Sequence, residues 1–428
     1  MSRRVPFPKY GRGIGLHRTL AIARRMGVDP ASFADRACVI VGSNGKGSTA
    51  AMTQAVLTAH GGPTALFTSP HLSRLNERYR LDDRDIDDAL LDRCWAKAEA
   101  AILAHQGEYP DDLAGGFEFL FLVALNWLDA VQPRFVVLEA GVGGRYDPTR
   151  LIRSGRAALV SLDLEHTALL GDTLAAIAFD KLEVCRPGGL VLSGAVDADV
   201  YAQMTTHADL IRIEVDRVAE GSAWRPAGDG IEITLVSGEV VAAVPPLHGA
   251  AQAGNTALAV RLAESLAGPL DADRIRTGLA ATRWPGRLET VSTDPLAVVD
   301  VGHTPKAIDA ALEGLDRLAA GRVFDVLVCG ASRDKAAPAM IAQLAPRFAH
   351  VICTAARHKG ESPARIAEAA RTANPTATVS CAATPEEAWA LARASVAPGH
   401  GVYVAGGLFL AMEVAAVIRG QPLVDPFF

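Results

Sequence analysis

Residues able to handle a nucleotide and a metal recur at the ends of apolar runs in this chain. The stretch "VGSNGKGSTA", residues 41 to 50, sets Asn44, Gly45, Lys46, Gly47, Ser48 and Thr49 directly after the apolar run "ACVIVG" and directly before a segment of helical period. In that context backbone N–H groups and a helix N-terminus cradle phosphates, and a lysine reaches them. The spelling departs from the usual phosphate loop. That loop places a hydroxyl immediately after the lysine to hold Mg²⁺. Here Gly47 occupies that place, the hydroxyls arrive late at Ser48 and Thr49, and Ile40 stands where the first glycine belongs. Another residue must therefore complete the metal's oxygen shell. Ser69 after "TALFTS", Glu139 at the end of "RFVVLE" and His166 after "LVSLDLE" stand at the carboxyl ends of apolar runs, where open α/β sheets bind ligands. Taken singly, Ser69 also suits a turn cap, Glu139 an ion pair and His166 a loop position.

The elements that must position these residues follow from the hydrophobic rhythm. Short runs rich in Val, Ile and Leu alternate with helical stretches, which predicts parallel sheet with crossover helices. Strands are expected at "ACVIVG", "TALFTS", "RFVVLEAG", "AALVSLDL" and "GLVLSG". Helices are expected at "STAAMTQAVLTAHG", "RDIDDALLDRCWAKAEAAILAH" and "FEFLFLVALNWLDAVQ". Alternation in "GIEITLVSGEVVAAV" predicts an antiparallel hairpin before the helix "QAGNTALAVRLAESLAG". Trp284, Pro285 and Gly286 interrupt the rhythm. A second series then runs through "LAVVDVG", "FDVLVCGA", "HVICTA", "ATVSCA" and "GVYVAGGL". The fold class expected is α/β: a P-loop-containing parallel-sheet ATP-binding domain over 1–287, and a smaller doubly wound α/β domain over 288–428.

Composition narrows the function classes. A chain of 428 residues exceeds what one core usually organises. A net charge of -6 argues against a phosphate-backbone partner, so no nucleic acid is expected. The start "MSRRVPFPKYGRG" has no apolar segment behind it and no run reaches membrane-spanning length. The six cysteines are scattered without a C-x-x-C pair and read as buried thiols. The expectation is a cytoplasmic protein, a monomer, with small-molecule partners.

The order of "GSNGKGST", "TSPHLSRLNER", "FE", "LEAGVGGRYDPT", "EHTALLGDTLAAIAFDK", "GAAQAGN", "WPGRLE", "DVGHTP" and "DK" at 334 to 335 resembles the folylpolyglutamate synthase and dihydrofolate synthase family of the Mur ligase superfamily. The resemblance covers nearly the whole chain. It implies a Mur ligase-like fold and an ATP-dependent ligase that activates a carboxylate as an acyl phosphate and lets an amine displace phosphate. It also implies roles for particular residues. Lys46 contacts phosphate, Ser69 and Glu139 hold one Mg²⁺, and Glu139 with His166 helps hold a second. Asn255 and Arg287 contact ATP, and Asp300 and His303 reach the nucleotide from the second domain. Lys181 carries a carbamate. Catalytic roles thus fall to Lys46, His166, Lys181 and His303.

Departures from the family pattern gather on the substrate side. Tyr146, Asp147, Pro148, Thr149 and Arg150 stand where the family has Leu-Asp-Ala-Thr-Asn beside its pterin, and Thr304 replaces an Asn after His303. Ala251 precedes Gln252 where a His is usual, and Glu165 replaces an Asp before His166. Arg150 offers a cation suited to a carboxylate or phosphate, or else simply solvates its loop. A folate acid with glutamate, a different acid recruited by the same machinery, and an inactive nucleotide-binding partner protein remain the alternatives at this point.

Overall fold

The computed structural model describes residues 5–8, 11–72, 74–319, 321–333 and 337–421; the Asp334–Lys335 pair lies outside them. Three sheets organise the chain. The first contains, in sequence order, β1 (Ala37–Val41), β2 (Thr64–Phe67), β3 (Tyr79–Leu81), β4 (Arg84–Asp85), β5 (Phe135–Glu139), β6 (Arg156–Leu159), β7 (Leu190–Ser193) and β8 (Glu214–Arg217). In space the order is β4-β3-β2-β5-β1-β6-β7-β8. From β2 through β8 neighbouring strands run parallel, while β3 and β4 join antiparallel at one edge. β1 and β5 are buried at every position, because helices cover both faces of the sheet and neither side can be polar.

The chain leaves β1 toward β2 on one side, returns through β5, and passes over β1 to reach β6. The carboxyl ends of β1, β5 and β6 thus flank the point where the winding changes direction, which is where an open α/β sheet leaves a crevice. The helix Lys46–Ala59, which begins at the glycine loop, is buried along most of its length beneath the helices Gln252–Ala267 and Ala272–Ala281. Gly278 allows the last of these to close up; a Cβ there would stand 2.6 Å from the Ala55 carbonyl oxygen.

A small antiparallel sheet follows, formed by β9 (Trp224–Ala227), β10 (Gly230–Thr234) and β11 (Val240–Ala243) in the order β11-β10-β9. The last sheet contains β12 (Glu289–Thr293), β13 (Leu296–Val299), β14 (Phe324–Cys329), β15 (His350–Cys353), β16 (Thr378–Cys381) and β17 (Gly401–Ala405). Its order is β12-β13-β17-β14-β15-β16, parallel except for β12.

Every parallel strand expected from an apolar run is present. Three expectations need correction. The helix expected from Arg84 begins at Asp88, because Arg84 and Asp85 pair with β3 and Asp87 caps the helix by accepting the Leu90 N–H at 2.8 Å. The expected hairpin is a three-stranded sheet, since the polar strand Trp224–Ala227 joins it. The cysteines are all free thiols, but Cys381 is exposed, lying on the edge strand of the last sheet. Among the described residues no helix is long and apolar enough to cross a membrane.

Candidate functional site

The glycine loop forms the expected turn from strand to helix. Gly45 takes φ +81° and caps the Lys46–Ala59 helix, a conformation that costs glycine least. Asn44 N–H donates to the Ser161 hydroxyl at 2.9 Å and Ser43 N–H to the Ser161 carbonyl at 2.9 Å, so the residues after β6 brace the loop. Lys46 Nζ folds back to donate to the Gly42 carbonyl at 2.8 Å, keeping its charge beside the loop. A Cβ on Gly45 would lie 3.0 Å from Asn255 Nδ2, and one on Gly47 would lie 2.3 Å from Trp284 Cζ2. Asn255 and Trp284, distant in sequence, therefore touch the loop directly. The late hydroxyls are both covered: Ser48 and Thr49 are buried, and among the described residues Thr49 Oγ1 has no hydrogen-bond partner.

Oxygen donors face the crevice from the neighbouring strands instead. Glu139 ends β5 at 5% exposure, and its Oε2 accepts the Ser69 N–H at 3.0 Å. Burial pushes the Glu139 carboxyl above its ordinary pKa, while Lys46, the Ser69 N–H, Arg287 and Arg78 pull the other way. Behind the Ser69 loop, buried Arg78 donates from Nε to His71 Nδ1 at 2.8 Å. His71 is pushed down to about 3 by burial and the Arg78 charge, so its ring stays neutral and serves as an acceptor. This pair, which sequence reasoning passed over, fixes the turn that carries Ser69.

A cavity of about 110 Å³ opens between the first and last sheets. Its walls include Gly47, Ser69 and Glu139 from one side, Trp284 and Arg287 from the connection, and Val301 and Leu408 from the other. Arg80 and Glu77 also reach it; Glu77 belongs to the TSPHLSRLNER run without having been given a role, and Arg80 carries no sequence signal that separates it from a surface charge. The remaining predicted residues are not among its walls. Asp300 is buried at the end of β13, with Oδ2 accepting the Leu288 N–H at 3.1 Å and Oδ1 the Gly302 N–H at 2.7 Å. Burial raises the Asp300 carboxyl despite Arg287 and these donors. His303 and His166 are exposed, His166 at φ +47° before the short helix Thr167–Leu170.

Lys181 is buried, and its Nζ donates to Glu165 Oε1 at 3.2 Å. Burial lowers the Lys181 pKa, Glu165 opposes that and Lys46 adds to it. Burial works against the Glu165 charge, but Lys181, Lys46 and the Ser43 hydroxyl together hold its carboxyl below the usual range. Among the described residues no group of three or more His, Cys, Asp or Glu side chains is placed to hold a metal. Ser69 and Glu139 on the cavity wall fit a hard cation that takes most of its ligands from phosphate and water.

The substrate-side departures look different once folded. Asp147 is buried and spends both oxygens on its own loop, accepting the Gly141 and Thr149 N–H groups at 2.8 Å and 3.0 Å. Arg150 donates to Glu183 Oε2 at 2.7 Å and to the Arg145 carbonyl at 2.8 Å. Its charge is matched within the chain, so Arg150 serves its own loop here and does not stand free for a substrate carboxylate or phosphate.

The Mur ligase, glutamate ligase domain family matches residues 286–408. Folylpolyglutamate synthase of Lacticaseibacillus casei is 32% identical over 321 residues, 73% of this chain and 74% of that protein. A probable bifunctional folylpolyglutamate synthase/dihydropteroate synthase of Halobacterium salinarum is 33% identical over 413 residues, 95% of this chain and 49% of that protein. The chain thus spans about half the length of that relative. Folylpolyglutamate synthase of Mycobacterium tuberculosis, solved in complex with ADP and AMPPCP, superposes with a TM-score of 0.84 at 26% identity, covering 96% of both chains. The bifunctional folylpolyglutamate synthase/dihydrofolate synthase of Yersinia pestis, solved with AMPPNP and a Mn ion, superposes with a TM-score of 0.81 at 27% identity over 95% of this chain and 94% of that one.

Proposed function

Because this chain belongs to the folylpolyglutamate synthase family of the Mur ligase superfamily, we propose that it is an ATP-dependent ligase joining L-glutamate to a pteroate or folate acid. The observation that carries this reading is the wall of the cavity between the sheets, where Gly47, Ser69, Glu139 and Arg287 converge. A carboxylate oxygen of the acid attacks the γ-phosphorus, ADP leaves, and the acyl phosphate is then attacked by the amine nitrogen. Phosphate departs and the amine gives up a proton.

Such chemistry needs alignment and cationic surroundings more than a nucleophilic side chain. The Gly45–Lys46 turn holds the phosphates, with Asn255 packed against it. Arg287 lines the same cavity as Gly47, where it would take charge on the transferred group. Ser69 and Glu139 are the residues that would hold a divalent ion, which would supply neutralisation of the phosphoryl oxygens. His166 would help hold a second ion, and His303 would reach the nucleotide from the second domain. Residues 1–287 and 288–428 are accordingly the two domains, and the catalytic site lies in the cleft between them. We take the protein to act as a monomer in the cytoplasm.

Lys181 carries a carbamate in this reading. Burial favours its neutral amine, the form that adds CO₂, against the pull of Glu165. Carbon-13 NMR of the protein in labelled bicarbonate, with Lys181→Ala as the blank, checks this; identical spectra refute it.

The glutamate–folate assignment is tested by ADP release from the full chain with dihydropteroate plus glutamate and with a reduced folate plus glutamate. Turnover with either pair is expected. ADP release that appears only with a non-pterin acid would move the protein to the second reading.

A further inference from the structure

One row of side chains belongs to no part of the site above. Cys329, Cys353 and Cys381 end the neighbouring parallel strands β14, β15 and β16, and they are register partners: Cys329 faces Cys353, and Cys353 faces Cys381. Partners in a parallel ladder project to the same face of the sheet. Here that face is the one covered by the helix Pro363–Ala373: Cys329 and Cys353 share a core cluster with Ile366 and Ala367 of that helix, and Cys381 Sγ donates to the Pro363 carbonyl at 3.7 Å. Adjacent strands lie about 4.8 Å apart. That spacing is within the Cα separation of about 4.4–6.8 Å that a disulfide spans.

The thiols differ in their surroundings. Cys329 and Cys353 are fully buried, whereas Cys381 is exposed on the sheet's edge. Cys329 lies directly across the ladder from Cys353 and packs in the same core cluster. Only one sulfur of the row meets solvent, and its register partner is a buried thiol one strand inward.

We propose that Cys381 and Cys353 form a reversible disulfide on exposure to a hydroperoxide, with Cys381 meeting the oxidant, Cys353 resolving it and Cys329 positioning Cys353. The Cys381 thiolate attacks the peroxide oxygen. The O–O bond breaks, the leaving oxygen takes a proton as alcohol or water, and Cys381 becomes a sulfenic acid. The Cys353 thiolate then attacks the Cys381 sulfur, the S–S bond forms, the S–O bond breaks and hydroxide leaves to become water. Two thiols lose two electrons together and the peroxide gains them. The bridge ties edge strand β16 to β15, and dithiothreitol returns both thiols.

The test uses the reduced full chain, stoichiometric hydrogen peroxide, alkylation of remaining thiols and peptide mapping. A linked Cys353–Cys381 peptide is expected, sensitive to dithiothreitol and accompanied by an upward shift of the unfolding midpoint. Cys381→Ser should slow oxidation of the row by about tenfold or more, because the reachable thiolate is gone. Cys329→Ala should retain the bridge but form it more slowly, with the Cys381 sulfenic acid trapped by dimedone in the interval. Stepwise oxidation of Cys381 to the sulfinic acid with no linked peptide overturns the proposal. Should Cys329→Ala fail to fold, the wild type and the exposed Cys381→Ser variant still decide it.

Discussion

The two large sheets each end a strand on a buried carboxylate beside Arg287, yet the two are used in opposite ways. Glu139 at the end of β5 accepts the Ser69 N–H through one oxygen and borders the cavity. Asp300 at the end of β13 has both oxygens taken by the Leu288 and Gly302 N–H groups. Burial raises both pKa values, and Arg287 opposes both shifts. The difference lies in what each one faces. A carboxylate on a cavity wall, whose charge burial disfavours, is one that a bound cation can stabilise. A saturated one is a fastening: Asp300 secures the left-handed turn at Leu288, where the chain passes from one body to the other.

The largest test of this contrast is Glu139→Gln. Turnover should fall by about 10²–10³ or more, as when a preorganised electrostatic group is removed. The unfolding midpoint should hold or rise, since an amide carries no buried charge; a midpoint that drops while ADP release persists would make Glu139 the fastening instead. Asp300→Asn should do the reverse to stability. Its amide nitrogen meets a backbone N–H where an oxygen stood, and urea denaturation should show a loss of about 1–3 kcal/mol.

Acid titration of stability gives a smaller signal. Both carboxyls have folded pKa values above their unfolded ones, so the folded state binds their protons more readily and stability gains as pH falls from the raised folded values toward the ordinary carboxylate range. Glu165, held low, contributes stability that is lost below that range. The gain on acidification should shrink in Glu139→Gln, and an unchanged profile would mean that another group produces it. The smallest effect is expected from Arg150→Ala. Its ion pair with Glu183 is partly exposed, and stability should change by about 0–1 kcal/mol. KM for the acid should barely move, and a large rise in it would return Arg150 to the substrate.

These contrasts also mark where the sequence is readable. Parallel strands buried on both faces announce themselves as apolar runs, and the placement of Ser69, Glu139 and the glycine loop at their ends followed from that. Edge strands do not: β8 reads Glu-Val-Asp-Arg and β9 contains Pro226, because a half-exposed strand tolerates charge and a missing N–H. The functions of residues that act through the backbone were equally hidden. Asp300 and Asp147 resemble site residues in a motif, and only the geometry shows N–H groups consuming their oxygens. Nor does any local pattern bring Trp284 to Gly47 or pair Arg150 with Glu183, since those contacts come from packing distant segments.

The Trp284 ring over Gly47 has an optical consequence. Of the five tryptophans in the chain, this one stands at the mouth of the phosphate loop. A nucleotide entering the loop must displace or stack upon that indole, so its emission becomes a built-in gauge of occupancy. Trp284→Phe would keep a ring against Gly47 while darkening the gauge, and would assign the nucleotide-dependent change in fluorescence to a single side chain.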